Sequence, residues 1–418
     1  MRIAIFNRFN SIVGGVEQYL ASSIPLLSAA GHDVQLWSAK SEIGAARSRT
    51  AIDCPTHLVP WQIQDGHQPL AEWFHSWDPD VICVHSPLDA KLEQFLLSRY
   101  PAIFFGHAYA LTCISGGKTL HDPLPHPCTR RLGPGCLLHY YPHRCGGLNP
   151  ITMIHNYSGN IAQRRRLLEY AAVVTFSSHM RDEYERHGVG GGRVKHIRPP
   201  CPNRSSRGNR EHHEAAQSEA LAVDRTWPLT IGFLGRLEQQ KGADILLHAL
   251  PYAADKLCRR LKLVIAGEGR DRQRLHSLAE EITRKNPAVD VQFQSWITSD
   301  RLDDFFVELS LLVVPSVWPE PFGLVGLEAA AHGVPAAAFA VGGIPEWLIE
   351  GSNGHLAPAS PPTSLGLSEA IVSCLIDPFH HAELRQGARK AAAAFSTREH
   401  ISSLLKILCD AARLRVSP

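Results

Sequence analysis

The chain has 418 residues, enough for two domains of roughly 200 residues that each bury a core. Its 42 basic and 40 acidic side chains leave a net charge of +2, which excludes the global charge bias of a nucleic-acid binder or a partner of acidic proteins. Ten cysteines are too sparse for a disulfide framework over this length, and most of the 23 histidines read as surface or polar-core residues.

The opening residues, MRIAIFNRF, alternate like a buried strand and not like an apolar signal core. No run of ~18 apolar residues occurs elsewhere, so a cytosolic protein with at most peripheral membrane contact is expected. Residues 3–6 form the first strand, and a loop carrying Gly14 and Gly15 leads into a helix near Val16. The unit has no G-x-G-x-x-G, which argues against a hydride-transfer cofactor. Strands at 34–37, 81–84 and 102–105 alternate with helical stretches, the rhythm of a parallel sheet covered on both faces. Asp78-Pro79-Asp80 spells D-x-D but reads as a turn before a strand. His85 and His107 each close a strand at its C-terminal end, where doubly wound folds place ligands.

Between His107 and Asn156 an insertion rich in Gly, Pro, His and Cys breaks that rhythm. Cys113, Cys128, Cys136 and Cys145 offer four thiolates for a structural zinc, yet no C-x2-C knuckle is present, so free thiols and a single disulfide stay open. Residues 161–170 carry Arg164, Arg165 and Arg166 beside an apolar face. That pattern suits either a solvated surface or contact with anionic headgroups or an anionic acceptor. Strands at 172–176 and 194–197 complete this half.

A polar stretch at 199–228 reads as a linker. The next strand, 229–234, ends at Gly235-Arg236, and Lys241 follows just before a helix, well placed to neutralise phosphate. Strands at 263–266 and 291–293 end near Gly267 and near Ser295, Trp296 and Ile297. The strand 311–314 then delivers the stretch 314–335, which holds the carboxylates Glu320 and Glu328. Pro319 and Pro321 keep Glu320 out of helical conformation. A helix is expected from about Phe322, with Gly323 and Gly326 baring one face to a ligand and Leu324 following at its start. Beyond 364 the chain reads as helices.

E-P-F-G-L-V-G-L-E-A at 320–329 resembles the E-x7-E motif of retaining nucleotide-sugar glycosyltransferases of family 4. G-G-V-E at 14–17, G-R-L-E-Q-Q-K-G at 235–242, A-G-E-G at 266–269 and V-G-G-I-P-E at 341–346 follow in that family's order. The resemblance implies an α/β chain of GT-B type, with two Rossmann-like doubly wound domains facing a central cleft. The expected parts are an acceptor domain at 1–203 with its insertion at about 108–155, a linker at 204–227, a donor domain at 228–390, and a final helix within 391–418 crossing back to the first domain.

Carried onto this chain, the resemblance assigns His107, Arg236, Lys241 and Glu320 to catalysis. It assigns Gly14, Gly15, Gly235, Gly267, Trp296, Ile297, Phe322, Gly323, Leu324 and Glu328 to the donor. Ser295 stands where the family usually has Gly at the nucleobase loop. The implied reaction moves a sugar from a nucleoside diphosphate sugar to an acceptor hydroxyl. No cofactor or catalytic metal is required, no nucleic acid is involved, and the acceptor is unspecified. No second acid near His107 offers itself as a nucleophile, which favours same-face attack over double displacement. An epimerase or inverting transferase on the same fold, a non-catalytic sugar-nucleotide sensor and a metal-organised binding protein are the alternatives.

Overall fold

The computed structural model describes residues 1–40, 51–59, 68–122, 125–201, 229–298 and 301–414, so the linker expected at 204–227 lies outside the described residues. The first half contributes β1 (Arg2–Phe9), β2 (Asp33–Lys40), β3 (Thr56–Leu58), β4 (Val81–Val84), β5 (Ala102–Phe105), β6 (Thr119–Leu120), β7 (His126–Pro127), β8 (Ala172–Thr175) and β9 (Val194–His196). Seven of these form one parallel sheet in the order β3-β2-β1-β4-β5-β8-β9. Strands buried on both faces send alternate residues to opposite sides. Ile3, Ile5, Val81, Cys83, Ile103 and Phe105 accordingly enter one core, while Ala4, Phe6, Ile82, Val84, Ala102 and Phe104 enter another.

The second half contributes β10 (Leu229–Leu234), β11 (Leu261–Ala266), β12 (Val289–Gln294), β13 (Leu311–Val314), β14 (Ala336–Phe339) and β15 (Gly354–Ala357). They form a second parallel sheet in the order β12-β11-β10-β13-β14-β15. Strand order reverses between β1 and β4 in the first sheet and between β10 and β13 in the second. Loops leaving the strand ends on either side of such a switch point diverge and open a crevice. The expected strands at 81–84, 102–105, 229–234 and 311–314 coincide with β4, β5, β10 and β13. β3, β14 and β15 were not anticipated. The A-A-A-F of β14 favours helix locally and becomes a strand because β13 and β15 pair with it on both sides.

Three helices close the described chain, Ser364–Leu375, Pro378–Ala393 and Thr397–Ala412. The last lies against β4, β5 and the helix Gly15–Ala29 of the first half, with Leu404 and Leu408 buried. The insertion folds into the antiparallel pair β6/β7 and the helices Gly135–His139 and Pro150–Arg166, around a small core of Ile114, Leu132, Tyr140 and Met153. Asp80 accepts a hydrogen bond from Arg2 N at 2.7 Å. The D-x-D turn therefore braces the N-terminal ends of β1 and β4, away from the crevice.

Two local expectations are corrected. The helix expected from Phe322 begins at Leu324, because Gly323 caps it at φ +91°, a left-handed conformation that glycine alone adopts readily. Gly326 does not bare the helix to a ligand. A Cβ there would lie 2.2 Å from the Trp347 ring, so the missing side chain makes room for that indole. Gly326→Ala should accordingly destabilise the fold by about 1–3 kcal/mol through overpacking, seen as a lowered midpoint in urea with an unchanged slope.

Candidate active site

The switch point of the second sheet gathers the charged residues. β10 hands the chain to Gly235, Arg236 and the turn ending at Lys241, and β13 hands it to Ser316, Trp318 and Glu320. Val317 N donates to Gln240 O at 3.0 Å, which joins the two loops. Gly242, at φ +68°, sits so close to Pro315 that a Cβ would fall 2.0 Å from its carbonyl oxygen. These backbone contacts bring Lys241 Nζ within 2.6 Å of Glu320 Oε1. Ser316 Oγ donates to the same oxygen at 2.5 Å, and the ammonium lies 5.0 Å from the centre of the Trp318 ring.

Glu320 is only 7% exposed. Burial pushes its carboxyl up, but the Lys241 ammonium and the hydrogen bonds from Lys241 and Ser316 outweigh it, leaving the group below its ordinary range. Glu328, about one turn along the helix Leu324–Ala331, is half-buried and has no side-chain partner among the described residues. Burial alone pushes its carboxyl up to about 7.

The other expected site residues of the second half follow β10, β11, β12 and β13. Arg236 is half-exposed and pairs with Glu238 at 3.0 Å, not with the Lys241–Glu320 pair. Gly235 N donates to Ala266 O at 3.1 Å, and Arg272 Nη1 donates to Gly267 O at 2.8 Å, so both glycines lie at adjoining strand ends. Trp296 and Ile297 follow β12 and are half-buried, with Ile297 packed on the core. Phe322 is corrected in part. Its ring is buried edge-on against Phe395 and its carbonyl accepts from Trp347 Nε1 at 2.7 Å, so neither faces a ligand. Gly323 and Leu324 stand at the start of the helix, with Gly326 N bonded to Gly323 O.

The first sheet presents its own strand ends. Gly14 is extended, at φ −166°, and the helix begins at Gly15. His85 Nδ1 and His107 Nε2 lie 2.9 Å apart, and both rings pack near Tyr19. Burial drives His107 down to about 3 and His85 well below its usual value, so both imidazoles are neutral. Tyr19 donates to His400 Nε2 at 3.0 Å, while His400 Nδ1 donates to Arg198 O at 2.7 Å. Burial pushes His400 down to about 4.

Several residues that join the two halves escaped the sequence reading. Ser177 Oγ donates to Pro321 O at 2.5 Å, and Ser178 Oγ donates to Glu346 Oε1 at 2.8 Å. His179 N also donates to Glu346 Oε1, at 3.2 Å, so a carboxylate from the second half sits at the N-terminus of the helix Ser178–Arg186. Tyr109 packs edge-on against Trp318 and shares a 2.8 Å hydrogen bond with His179 Nε2. The Ser-Ser that follows the strand at 172–176 is a helix-capping signal, but nothing local reveals its partner. Gly343 N donates to Glu320 O at 2.7 Å, so the V-G-G-I-P-E loop holds both the catalytic candidate and this junction.

Cys113, Cys128, Cys136 and Cys145 are free thiols, each half-buried. Burial and the other three thiols push Cys145 up to about 12. Among the described residues no group of three His, Cys, Asp or Glu side chains is arranged to hold a metal ion. Nor is any described helix long and apolar enough to cross a membrane.

Comparison with known proteins matches residues 13–202 to the model of Glycosyltransferase Family 4 and residues 223–393 to that of Glycosyl transferases group 1. A D-inositol 3-phosphate glycosyltransferase of Streptomyces bingchenggensis is 37% identical over 192 residues, 42% of this chain and 40% of that protein. A glycogen synthase of Mycobacterium tuberculosis is 26% identical over 398 residues, 88% of this chain and 84% of that one. The first curated relatives are thus matched over less than half of their own length. Among solved structures, Anabaena HepE in complex with UDP and glucose superimposes with a TM-score of 0.66 at 17% identity, covering 98% of this chain and 99% of that one. A sucrose-phosphate synthase from Thermosynechococcus elongatus reaches 0.68 at 19% identity, covering 98% of each. At these identities the structures bear on the fold alone.

The neutral histidines make a testable statement about acid stability. Folded His107 and His400 bind a proton only near pH 3 and 4, whereas in the unfolded chain they do so near 6.5. Below about 6.5 the unfolded state takes up protons that the folded state refuses, so their contribution is lost as the pH falls. Replacing His400 with Gln should flatten the decline of unfolding free energy between about pH 6.5 and 4 relative to the parent. Parallel profiles for the two proteins would contradict a buried neutral imidazole.

Proposed function

This chain belongs to the group 1 and family 4 glycosyltransferases and has their GT-B fold, and from that premise we propose that it transfers a sugar from a nucleoside diphosphate donor to an acceptor hydroxyl with retention of configuration. The observation that carries this reading is the buried Lys241–Glu320 pair at the β10/β13 switch point. A carboxylate kept ionised in a nearly dry site costs several kcal/mol unless it is paired. Surrounding structure that supplies an ammonium and a hydroxyl to one oxygen leaves the other oxygen for a ligand.

As the bond from the sugar to the diphosphate breaks, the ring becomes cation-like and negative charge accumulates on the departing phosphate. Lys241 has three N–H donors and gives one to Glu320. The others, with Arg236 and the helix start at Leu324, are available to the phosphate oxygens, where they stabilise the transition state more than the ground state. Glu320 orients the sugar hydroxyls and opposes the ring's positive charge. His107, held neutral, acts through hydrogen bonding and not as an acid. The acceptor oxygen attacks from the face the diphosphate leaves, and its proton passes to the leaving phosphate oxygen. Glu328 receives the ribose hydroxyls, and the glycine-bearing loops at Gly14, Gly15, Gly235 and Gly267, with Trp296 and Ile297, complete the donor site.

The relatives' donors guide the assay. HepE is a UDP and UDP-glucose complex, which makes UDP-sugars the first donors to try, followed by GDP-, dTDP- and ADP-sugars. Lys241→Ala should lower kcat/KM by about 100-fold or more, and the product anomer identified by NMR should match the donor's. A loss of only a few-fold, or an inverted product, would sink the proposal.

A second test uses Glu328. Its raised pKa means that the carboxyl becomes ionised only as the pH climbs through about 7. An ionised carboxylate accepts from both ribose hydroxyls more strongly than the neutral acid does, so nucleotide affinity measured calorimetrically should strengthen across that range. In Glu328→Gln the affinity should be weaker and lose this dependence.

A further inference from the structure

From Pro123 to Leu168 the sequence contains six arginines and neither Asp nor Glu. This stretch covers most of the insertion and runs past the end of the helix Pro150–Arg166, and its described surface is apolar as well as basic. Leu138, Leu148, Ile151 and Ile154 are 78%, 82%, 77% and 58% exposed, and Tyr141 stands among them. Single exposed apolar residues are ordinary on a folded protein, but a cluster of long aliphatic side chains rimmed by one sign of charge marks a binding surface.

The helix Pro150–Arg166 organises the patch. Asn149 accepts from Ile151 N at 2.9 Å and fixes its start, while Met153 turns into the small core of the insertion. The exposed positions Ile151, Ile154, His155, Ser158, Ala162 and Arg165 fall within an arc of roughly 100° at 3.6 residues per turn. The face is apolar toward its N-terminal end and basic toward its C-terminal end. Arg164 and Arg166 are engaged internally, with Leu132 O and Glu93. Arg130, Arg131, Arg144 and Arg165 are exposed, form no ion pair among the described residues and belong to the same acid-free stretch as the apolar side chains.

We propose that this face docks on the surface of an anionic lipid bilayer. A bilayer interface accepts aliphatic side chains a few ångströms deep while its headgroups pair with the arginines around them, and 46 residues without a carboxylate remove the repulsion that would oppose this. A second copy of the chain would bring like charges together at the same surface. The insertion also reaches a cavity of about 410 Å³, which its Lys118 and Thr129 line together with Asp182, Glu183, Arg186 and Pro319, the neighbour of Glu320. Docking there would make a lipid-borne hydroxyl the acceptor within reach of this protein, a consequence that rests on the transfer reading.

The test is co-sedimentation of the full chain with vesicles of phosphatidylcholine alone or mixed with phosphatidylglycerol. The parent should partition onto the anionic vesicles and be released by about 0.5 M salt. Arg130→Gln with Arg131→Gln should weaken partition by about tenfold, and Leu148→Ser with Ile151→Ser by a similar factor. Thermal melts of these surface variants should match the parent. Equal partition on both lipids, no partition, or variants indistinguishable from the parent would overturn the proposal, as would a concentration-dependent dimer that the Leu148 and Ile151 changes dissolve. Donor hydrolysis measured without vesicles separates this outcome from any failure of the transferase reading.

Discussion

The buried ion pair between Lys241 and Glu320 is the contact on which the rest of the site depends. A carboxylate in that position would be neutral or destabilising without a partner, and its partner comes from a loop 79 residues away in sequence. Backbone groups, not side chains, set the geometry: Val317 N on Gln240 O, Gly343 N on Glu320 O, and the close approach of Gly242 to Pro315. Because each contact is made by main chain at the end of a buried strand, the ammonium and carboxylate are fixed with little freedom to lose when a ligand arrives.

The same segment carries the junction between the two halves. Pro321 O accepts from Ser177, Trp318 meets Tyr109, and Glu346 caps the helix that follows β8. Ser177 and Glu346 supply polar contacts, while Trp318 packs into a buried apolar cluster of the first half. The helix Thr397–Ala412 works differently. It buries Leu404 and Leu408 and supplies His400 to Tyr19 in the apolar interior behind His85 and His107. That interior keeps the histidines neutral, while the charged Lys241–Glu320 pair belongs to the second half.

Glycine serves two ends in this chain, and the sequence does not distinguish them. Gly242 is where the backbone takes a left-handed turn under a neighbouring carbonyl, which fixes Lys241. Gly326 lies in the most family-like stretch and looks like an opening for a ligand, yet it is filled by Trp347 from 21 residues downstream. A missing side chain shows that something approaches closely; only the fold says whether that is substrate or indole.

Much of the architecture was legible because buried parallel strands are contiguous apolar runs, and β4, β5, β10 and β13 stand out as such. The candidate site was legible for a related reason: in a doubly wound sheet function gathers after strand ends, so His107, Arg236, Lys241 and Glu320 could be nominated from position and resemblance. Sequence alone therefore determined the two-sheet α/β plan, the candidate residues that follow the strand ends and the acid-free, basic stretch from Pro123 to Leu168. Only the tertiary structure decided that Glu320 is buried against Lys241 while Arg236 turns to Glu238, that Glu328 has no side-chain partner among the described residues, that β14 is a strand, and that Ser177, Tyr109 and Glu346 bridge the halves. Each of those depends on which distant backbone lies within hydrogen-bonding or contact distance, and local pattern and propensity carry no information about that.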